Sequence, residues 1–471
     1  MMKRSFVSLL SVTVAAAWPL IGCGGNGSRP NVVLIVVDSL RADALGAYGD
    51  EPTPSPTIDR LAADGVRFER VVAPASWNLP SVSSLVTSTP PWLHGQGAPV
   101  SGAAEITTLA ETFAATGYRT AAFTEVAWPL LQRGFDTFQN TAFGHTFGDP
   151  EANSAERTFG AAIDWIREDP EAPFFVLVHT YEVHSYFLGK PHHHEMARAA
   201  LPDYEGPFRD WAIRDLSQPA GPQVIDALLG ADAADLEYVQ ALYRAAVTEV
   251  DGQILRLVGR LKEAGLDDGT VVALTSSNGE GFRPDLKRVH HGGRLHHDVL
   301  HVPWILRWPG GLESSVEKTL VATLDVAPTL VSLAGLPEEP RFTGRSLVAP
   351  ATGLLSSFRG PRFRIPRLEK RDLVAQEAAF RTLATGEREP ATTPQLALYQ
   401  DWVTLIDNGE TAELYDLKDD PEQEDDRSAE YADGAERLRQ KVHRIAESGA
   451  SDATGPDAEQ LEQLRSLGYV Q

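Results

Sequence analysis

Several short runs along the chain are apolar at nearly every position instead of at alternate ones. Residues 32–37 (VVLIVV) are the clearest, and 120–123, 174–178, 271–275 and 303–307 follow the same pattern. Runs of this kind fit strands buried on both faces of a parallel sheet. Helical periodicity lies between them. Residues 107–115 lead into Gly117, and Phe159, Ile163 and Ile166 mark one face of a helix that ends before Pro170. Val247, Val250, Ile254, Leu257, Val258 and Leu261 share a face at a period of 3.6, with Gly265 placed to stop that helix. The alternation predicts an α/β fold with a doubly wound, mostly parallel sheet, an α/β/α sandwich. Ligands on such sheets sit beyond the carboxyl ends of strands, where Asp38, His179 and Ser277 fall.

The pattern changes near residue 364. Residues 396–399, 402–406 and 413–417 read as short strands, with Asn408-Gly409 as a hairpin signal and a polar helix over 429–447. A small α+β subdomain over 364–471 is expected, following a main α/β domain over 31–363. Residues 189–236 are rich in Pro, Ala and Asp and poor in pattern, and are expected to form an insertion loop over the site, with His192, His193 and His194 in a solvated run.

Composition narrows the function classes. The chain has 471 residues, 42% hydrophobic and 23% charged, with a formal net charge of −23. It is not a disordered tail, and its acidity argues against nucleic acid as a partner. It holds one cysteine, Cys23, which excludes an internal disulfide framework and multi-cysteine metal sites. Lys3 and Arg4 precede an apolar stretch, residues 6–17, shorter than the ~20 residues a spanning helix needs. Leu20-Ile21-Gly22-Cys23 resembles the lipobox of bacterial lipoproteins. That resemblance implies a signal peptide over 1–22, acylation of Cys23, a tether over 23–30, and export to the bacterial cell envelope. The membrane would then be met through the lipid alone.

Eight segments, in order, carry a second resemblance. PNVVLIVVDSLRADALGAYG opens the folded part, followed by TPSPTIDRLAADGVRFERVVAPAS, NLPSVSSLVTSTPPWLHG, FFVLVHTYEVHSYF, VVALTSSNGEGF and HGGRLHHDVLHVPWILRWPGG. ATLDVAPTLVSLAGL with TGRSL, and ELYDLKDDPEQ with LRSLGYV, complete the set. The chain resembles the sulfatase family of the alkaline phosphatase superfamily. The resemblance implies that superfamily's fold and hydrolysis of sulfate or phosphate esters. The substrate would be a small sulfated or phosphorylated molecule or a glycan, and the cofactor a divalent cation (Ca2+, or Zn2+ or Mn2+ on a phosphatase-like pattern).

Carried over position by position, the motifs name a site. Asn78 stands where the family has the Cys or Ser that becomes formylglycine, which cannot form from an amide. Asn also has no nucleophilic oxygen comparable to an alkoxide, while Asn and the following Pro80 suit a helix start. Val82 replaces the usual Arg, and Ser76 and Ser81 are nearby hydroxyls at other motif positions. Asp38, Ser39, Ser277 and Asn278 fall on the four metal-ligand positions, leaving one carboxylate where a hard cation prefers several oxygens. Glu280 or His290 would compensate only through an altered geometry. His184 matches the His near the bound anion, His291 a metal-ligand His of phosphatase relatives, and Arg41 the D-S-L-R pattern. His94 reads as structural, while His296, His297 and His301 fall on a predicted helix and its end, where a spacing of four or five residues allows a ligand pair but favours a structural role. Two functions stay open: a hydrolase using a rearranged site around His184 and His291, and a catalytically inactive protein binding a sulfated or phosphorylated ligand or an envelope partner.

Overall fold

A computed structural model describes residues 29–96, 106–142, 154–213, 220–350, 363–377, 380–382, 388–390 and 394–447. Cys23, the leader, nearly all of the tether and the final LRSLGYV motif lie outside the described residues.

Eight strands form the main sheet: β1 (Asn31–Val37), β2 (Val66–Phe68), β3 (Arg119–Thr124), β4 (Thr137–Asn140), β5 (Phe174–Thr180), β6 (Thr270–Ser276), β7 (Trp304–Arg307) and β8 (Ser315–Glu317). Their spatial order is β8-β2-β7-β6-β1-β5-β3-β4. Only β7 runs against the others, pairing antiparallel with β6 and β2. The five predicted runs therefore all become neighbouring strands. β1 lies between β6 and β5, with Val37 level with Ser276 and Thr180, so three strands end side by side.

The continuous apolar run of β1 is explained by cover on both faces. Val32, Leu34 and Val36 join one core and Val33, Ile35 and Val37 the other. Burying each such side chain is worth about 1.5–3 kcal/mol. The cover comes from helices α1 (Pro56–Asp64), α2 (Asn78–Thr87), α3 (Leu109–Ala114), α4 (Ala155–Glu168), α5 (Pro191–Ala200), α6 (Ala220–Leu229), α7 (Ala233–Glu263) and α8 (Val326–Leu333), while α9 (Ala432–Glu447) belongs to the C-terminal part. α2, α3 and α8 pack on the first face. α1, α4 and α7 pack on the second. α3 starts with a reciprocal capping box between Thr108 and Glu111. α7 ends before Gly265, whose φ of +70 fits the left-handed stop expected from sequence.

The C-terminal part holds an antiparallel sheet of β9 (Asp372–Glu377), β10 (Gln395–Gln400), β11 (Val403–Asp407) and β12 (Ala412–Asp416). One face carries Leu398, Leu405 and Leu414 against Ala435 and Val442 of α9. The other places Ala375, Ala397, Tyr399 and Ile406 in the main core.

One expectation is corrected. The segment 189–236 is not an irregular insertion loop, because α5, α6 and the start of α7 run through it. Some of its Pro and Asp punctuate helices: Pro191 opens α5, and Asp232 caps α7 in a box with Asp235. Its alanines favour helix while giving little amphipathic signal. Among the described residues no helix is long and apolar enough to cross a membrane.

Candidate active site

Three strand or helix ends converge on Asp38. β1 delivers Asp38 and Ser39, the latter in the left-handed region at φ 58. β6 delivers Ser277 and Asn278, and the first residue of α2 is Asn78. Asn78 Nδ2 donates to Asp38 Oδ2 at 2.9 Å, and Ser277 Oγ donates to Asp38 Oδ1. His179, at the end of β5, holds its Nε2 3.5 Å from the same Oδ1. All of these groups are buried. Burial pushes the Asp38 carboxyl up, but His179, His184 and Ser277 outweigh it and hold the group below the usual carboxylate range.

The amide at position 78 is satisfied at both ends. Its Oδ1 accepts from Leu79 N at 2.9 Å while its Nδ2 serves Asp38. The two neighbouring hydroxyls have partners of their own. Ser76 Oγ donates to Glu377 Oε2 at 2.6 Å, and Ser81 Oγ to the Ala75 carbonyl at 2.8 Å. Val82 is part of the apolar core.

A second group lies beside the first. A short hairpin, Phe282–Arg283 against Arg288–Val289, brings Glu280 opposite His290 and His291. Glu280 Oε2 stands 2.9 Å from His291 Nδ1 and 3.3 Å from His290 Nδ1. Burial would raise the Glu280 carboxyl, yet the two imidazoles hold it well below its ordinary range. Gly281 packs so closely that a Cβ there would lie 2.0 Å from Arg294 Nη2. Ser39 links the two groups: its Oγ is 3.5 Å from His291 Nδ1 and accepts from Asn278 Nδ2 at 3.3 Å. The His184 ring lies 5.0 Å from that of His291. Burial and the neighbouring His291 lower the His184 pKa to about 4, so it is neutral near pH 7.

Most sequence-predicted site residues are thus brought together: Asp38, Ser39, Asn78, His184, Ser277, Asn278 and His291. Arg41 is not. Its guanidinium is held by both Asp43 oxygens and by the Glu280 carbonyl at 2.7 Å, at the edge of a cavity of about 390 Å³ between the main sheet and the C-terminal part. The sequence also missed the direct contact of His179 with Asp38, for which the strand-end position was the available signal.

The histidine run is corrected as well. His192, His193 and His194 lie on α5, not on a solvated loop. His193 is buried 3.1 Å from Glu182, and His194 Nε2 is 2.9 Å from the Trp211 carbonyl. Glu182, two residues past β5, also holds Lys190 Nζ at 2.5 Å. Elsewhere His94 Nε2 meets Ser84 Oγ at 2.8 Å, His296 meets Glu413 at 2.9 Å, and His297 stacks on His301.

The family's metal-ligand positions do not fit a divalent cation here. Asp38 is their only carboxylate, and its two oxygens accept from Asn78 and Ser277, with His179 Nε2 3.5 Å from one of them. A hydrogen-bond donor and a cation compete for the same lone pairs.

A sulfatase-family model matches residues 30–336. The chain belongs to the sulfatase family. Arylsulfatase A of Homo sapiens is 27% identical over 391 residues, covering 71% of this chain and 68% of that protein. Among solved structures, a protein in complex with its substrate D-glucosamine-2-N,6-O-disulfate superposes with a TM-score of 0.70 at 18% identity, covering 90% of this chain and 98% of that one. The phosphonate monoester hydrolase of Agrobacterium radiobacter gives a TM-score of 0.65 at 22% identity, covering 89% and 96%. The fold is that of the alkaline phosphatase superfamily, and the family is one of sulfate ester hydrolases.

Proposed function

We propose that this member of the family binds a sulfated small molecule or glycan at the cell envelope without hydrolysing it by the formylglycine route. The observation that carries this reading is the side chain at position 78. It is an amide, and its N–H donates into Asp38 while its oxygen caps its own helix. A group so engaged presents no oxygen for attack on sulfur or phosphorus. The substrate-bound neighbour supports a sulfated sugar as the ligand class, with a phosphorylated ligand of similar charge as the alternative. The lipobox at Cys23 supports lipid anchorage outside the cytoplasm.

The test is turnover beside binding. The purified full chain is expected to release no product above background from 4-nitrophenyl sulfate, 4-nitrophenyl phosphate or a sulfated glucosamine, while the sulfated sugar raises its melting temperature. Asn78→Cys combined with Ser277→Asp is expected to create divalent-cation binding that the native Asp38 position lacks. Turnover that disappears on Asp38→Ala would overturn the reading. A rearranged hydrolase is the second reading, with His184 and His291 as acid/base groups. It is favoured by their juxtaposition at 5.0 Å in a buried setting.

A further inference from the structure

We propose that Glu280, His290 and His291 form a cation site of their own, separate from Asp38, Ser39, Ser277 and Asn278 and sharing only His291 with the positions that the resemblance assigns to metal, and suited to a borderline ion such as Zn2+. Occupancy of this site does not depend on whether an ester is turned over. Its first support is the donor set. One ligand atom from each residue lies within 4.8 Å of the others, and all three residues are buried. Two imidazoles and one carboxylate are the ligand types that Zn2+ takes at open sites, whereas Ca2+ wants six or more oxygens. Ligands about 2.1 Å from a tetrahedral ion are about 3.4 Å apart. Glu280 Oε2 stands 2.9 Å and 3.3 Å from the two imidazole nitrogens, and, unlike the Asn78 amide at Asp38, each imidazole can carry its proton on Nε2 and turn its Nδ1 lone pair to an ion, so little movement is needed.

The second support is the backbone. Consecutive side chains in an extended segment point to opposite sides. His290 instead adopts φ +58, a left-handed conformation unusual for a non-glycine residue, and both Nδ1 atoms meet one carboxylate oxygen. Such conformations persist where surrounding structure imposes them, often at ligand sites. Here the imposition is visible: His290 N donates to the Gly281 carbonyl at 2.9 Å, and Arg294 donates to the His290 carbonyl at 2.9 Å. Glu280 is fixed in turn, its Oε1 accepting from Gly281 N at 3.0 Å. Outer contacts that orient ligands in this way raise metal affinity.

The third support is His184. It is 4% exposed, its Nδ1 has no hydrogen-bond partner among the described residues, and its ring lies 5.0 Å from that of His291. It adds an unpartnered imidazole nitrogen beside the three ligands.

The experiment uses the full chain purified without chelators. Elemental analysis and Zn2+ titration are expected to give one equivalent per chain. Co2+ substitution is expected to give the intense visible bands of a four-coordinate ion. Glu280→Gln and His291→Ala should each weaken Zn2+ binding at least tenfold, while Asp38→Asn should leave it within about twofold. If His291→Ala fails to fold, His290→Gln and the Co2+ spectrum of the native chain decide the matter. Absence of binding, indifference to the Glu280 and histidine substitutions, or loss on Asp38→Asn would each overturn the proposal. The first would leave a metal-free carboxylate–imidazole cluster, and the last would return the ion to the family position. Neither outcome bears on whether esters are turned over, so the two readings fail separately.

Discussion

Replacing Lys190 by Met tests how the region behind the site is held together. Lys190 Nζ lies 2.5 Å from Glu182 Oε1, with side-chain exposures of 6% and 1%. The other Glu182 oxygen accepts from Ala155 N at 3.0 Å, at the start of α4. Burial opposes charge on Glu182, but His193, Lys190 and Ala155 overcome it and lower its pKa from 4.5 to about 2. At 1.36 kcal/mol per tenfold, that depression corresponds to about 3 kcal/mol. Breaking a buried pair from one side costs about 3–5 kcal/mol by independent measure. The lower end applies, because His193 and the helix start remain.

With about 2.1 cal/mol/K per residue, the unfolding entropy of this chain is about 1 kcal/mol/K, so Lys190→Met should lower Tm by about 3 °C near pH 7.5. The sign with pH follows from the depressed pKa. In the native chain the Glu182 contribution is full above 4.5 and is lost as pH falls through about 2. In the variant the Glu182 charge, left with only His193 and Ala155 N–H, is relieved as Glu182 or His193 takes a proton, so the deficit should shrink toward pH 5. Scanning calorimetry at both pH values checks this. A shift under 1 °C at pH 7.5, or a deficit that grows on acidification, would refute the reasoning.

Other buried positions give further tests. Burial and the charge on Glu182 raise the Glu125 pKa to about 7, so its contribution is full below 4.5 and is lost as pH rises through 7, by about 3 kcal/mol. Glu125→Gln keeps partners for Thr158, Thr180 and Tyr181, and its melts should be flatter between pH 5 and 8 and higher than native at pH 8. Gly279→Ala would set a Cβ 2.2 Å from the Asp298 carbonyl oxygen and should cost about 2–3 kcal/mol. Gly252→Ala, in open space on α7, should raise stability by about 1 kcal/mol; equal effects at the two sites in thermal melts would sink the steric argument.

The strands and the Asp38 centre were legible because their signals are local. Runs such as VVLIVV need cover on both faces wherever they sit, and β1 between β5 and β6 supplies it. Motif order then placed Asp38, Asn78 and Ser277 at neighbouring ends. What escaped depends on backbone angles or distant partners. The convergence of His290 and His291 on Glu280 follows from one positive φ at a histidine, which no spacing announces. Arg41 left the centre because Asp43, two residues on, captures it. The helices of 189–236 were hidden because alanine carries helix propensity without an apolar stripe.

Glu377 sits at the end of β9, yet its Oε2 accepts from Ser76 Oγ and from Gly293 N. The first contact spans 301 residues of chain and the second 84. The next residue back, Gln376, donates its N–H to the Pro74 carbonyl. The turn before Asn78 and the loop after His291 are therefore both fastened by a carboxylate that is synthesised last among the three. Closing so long a loop is entropically slow. As the chain emerges from the ribosome, the sheet around β1, β5 and β6 has its strands well before residue 377 arrives. The centre is completed only afterwards, so a chain cut short before β9 would carry a sheet without a fastened site.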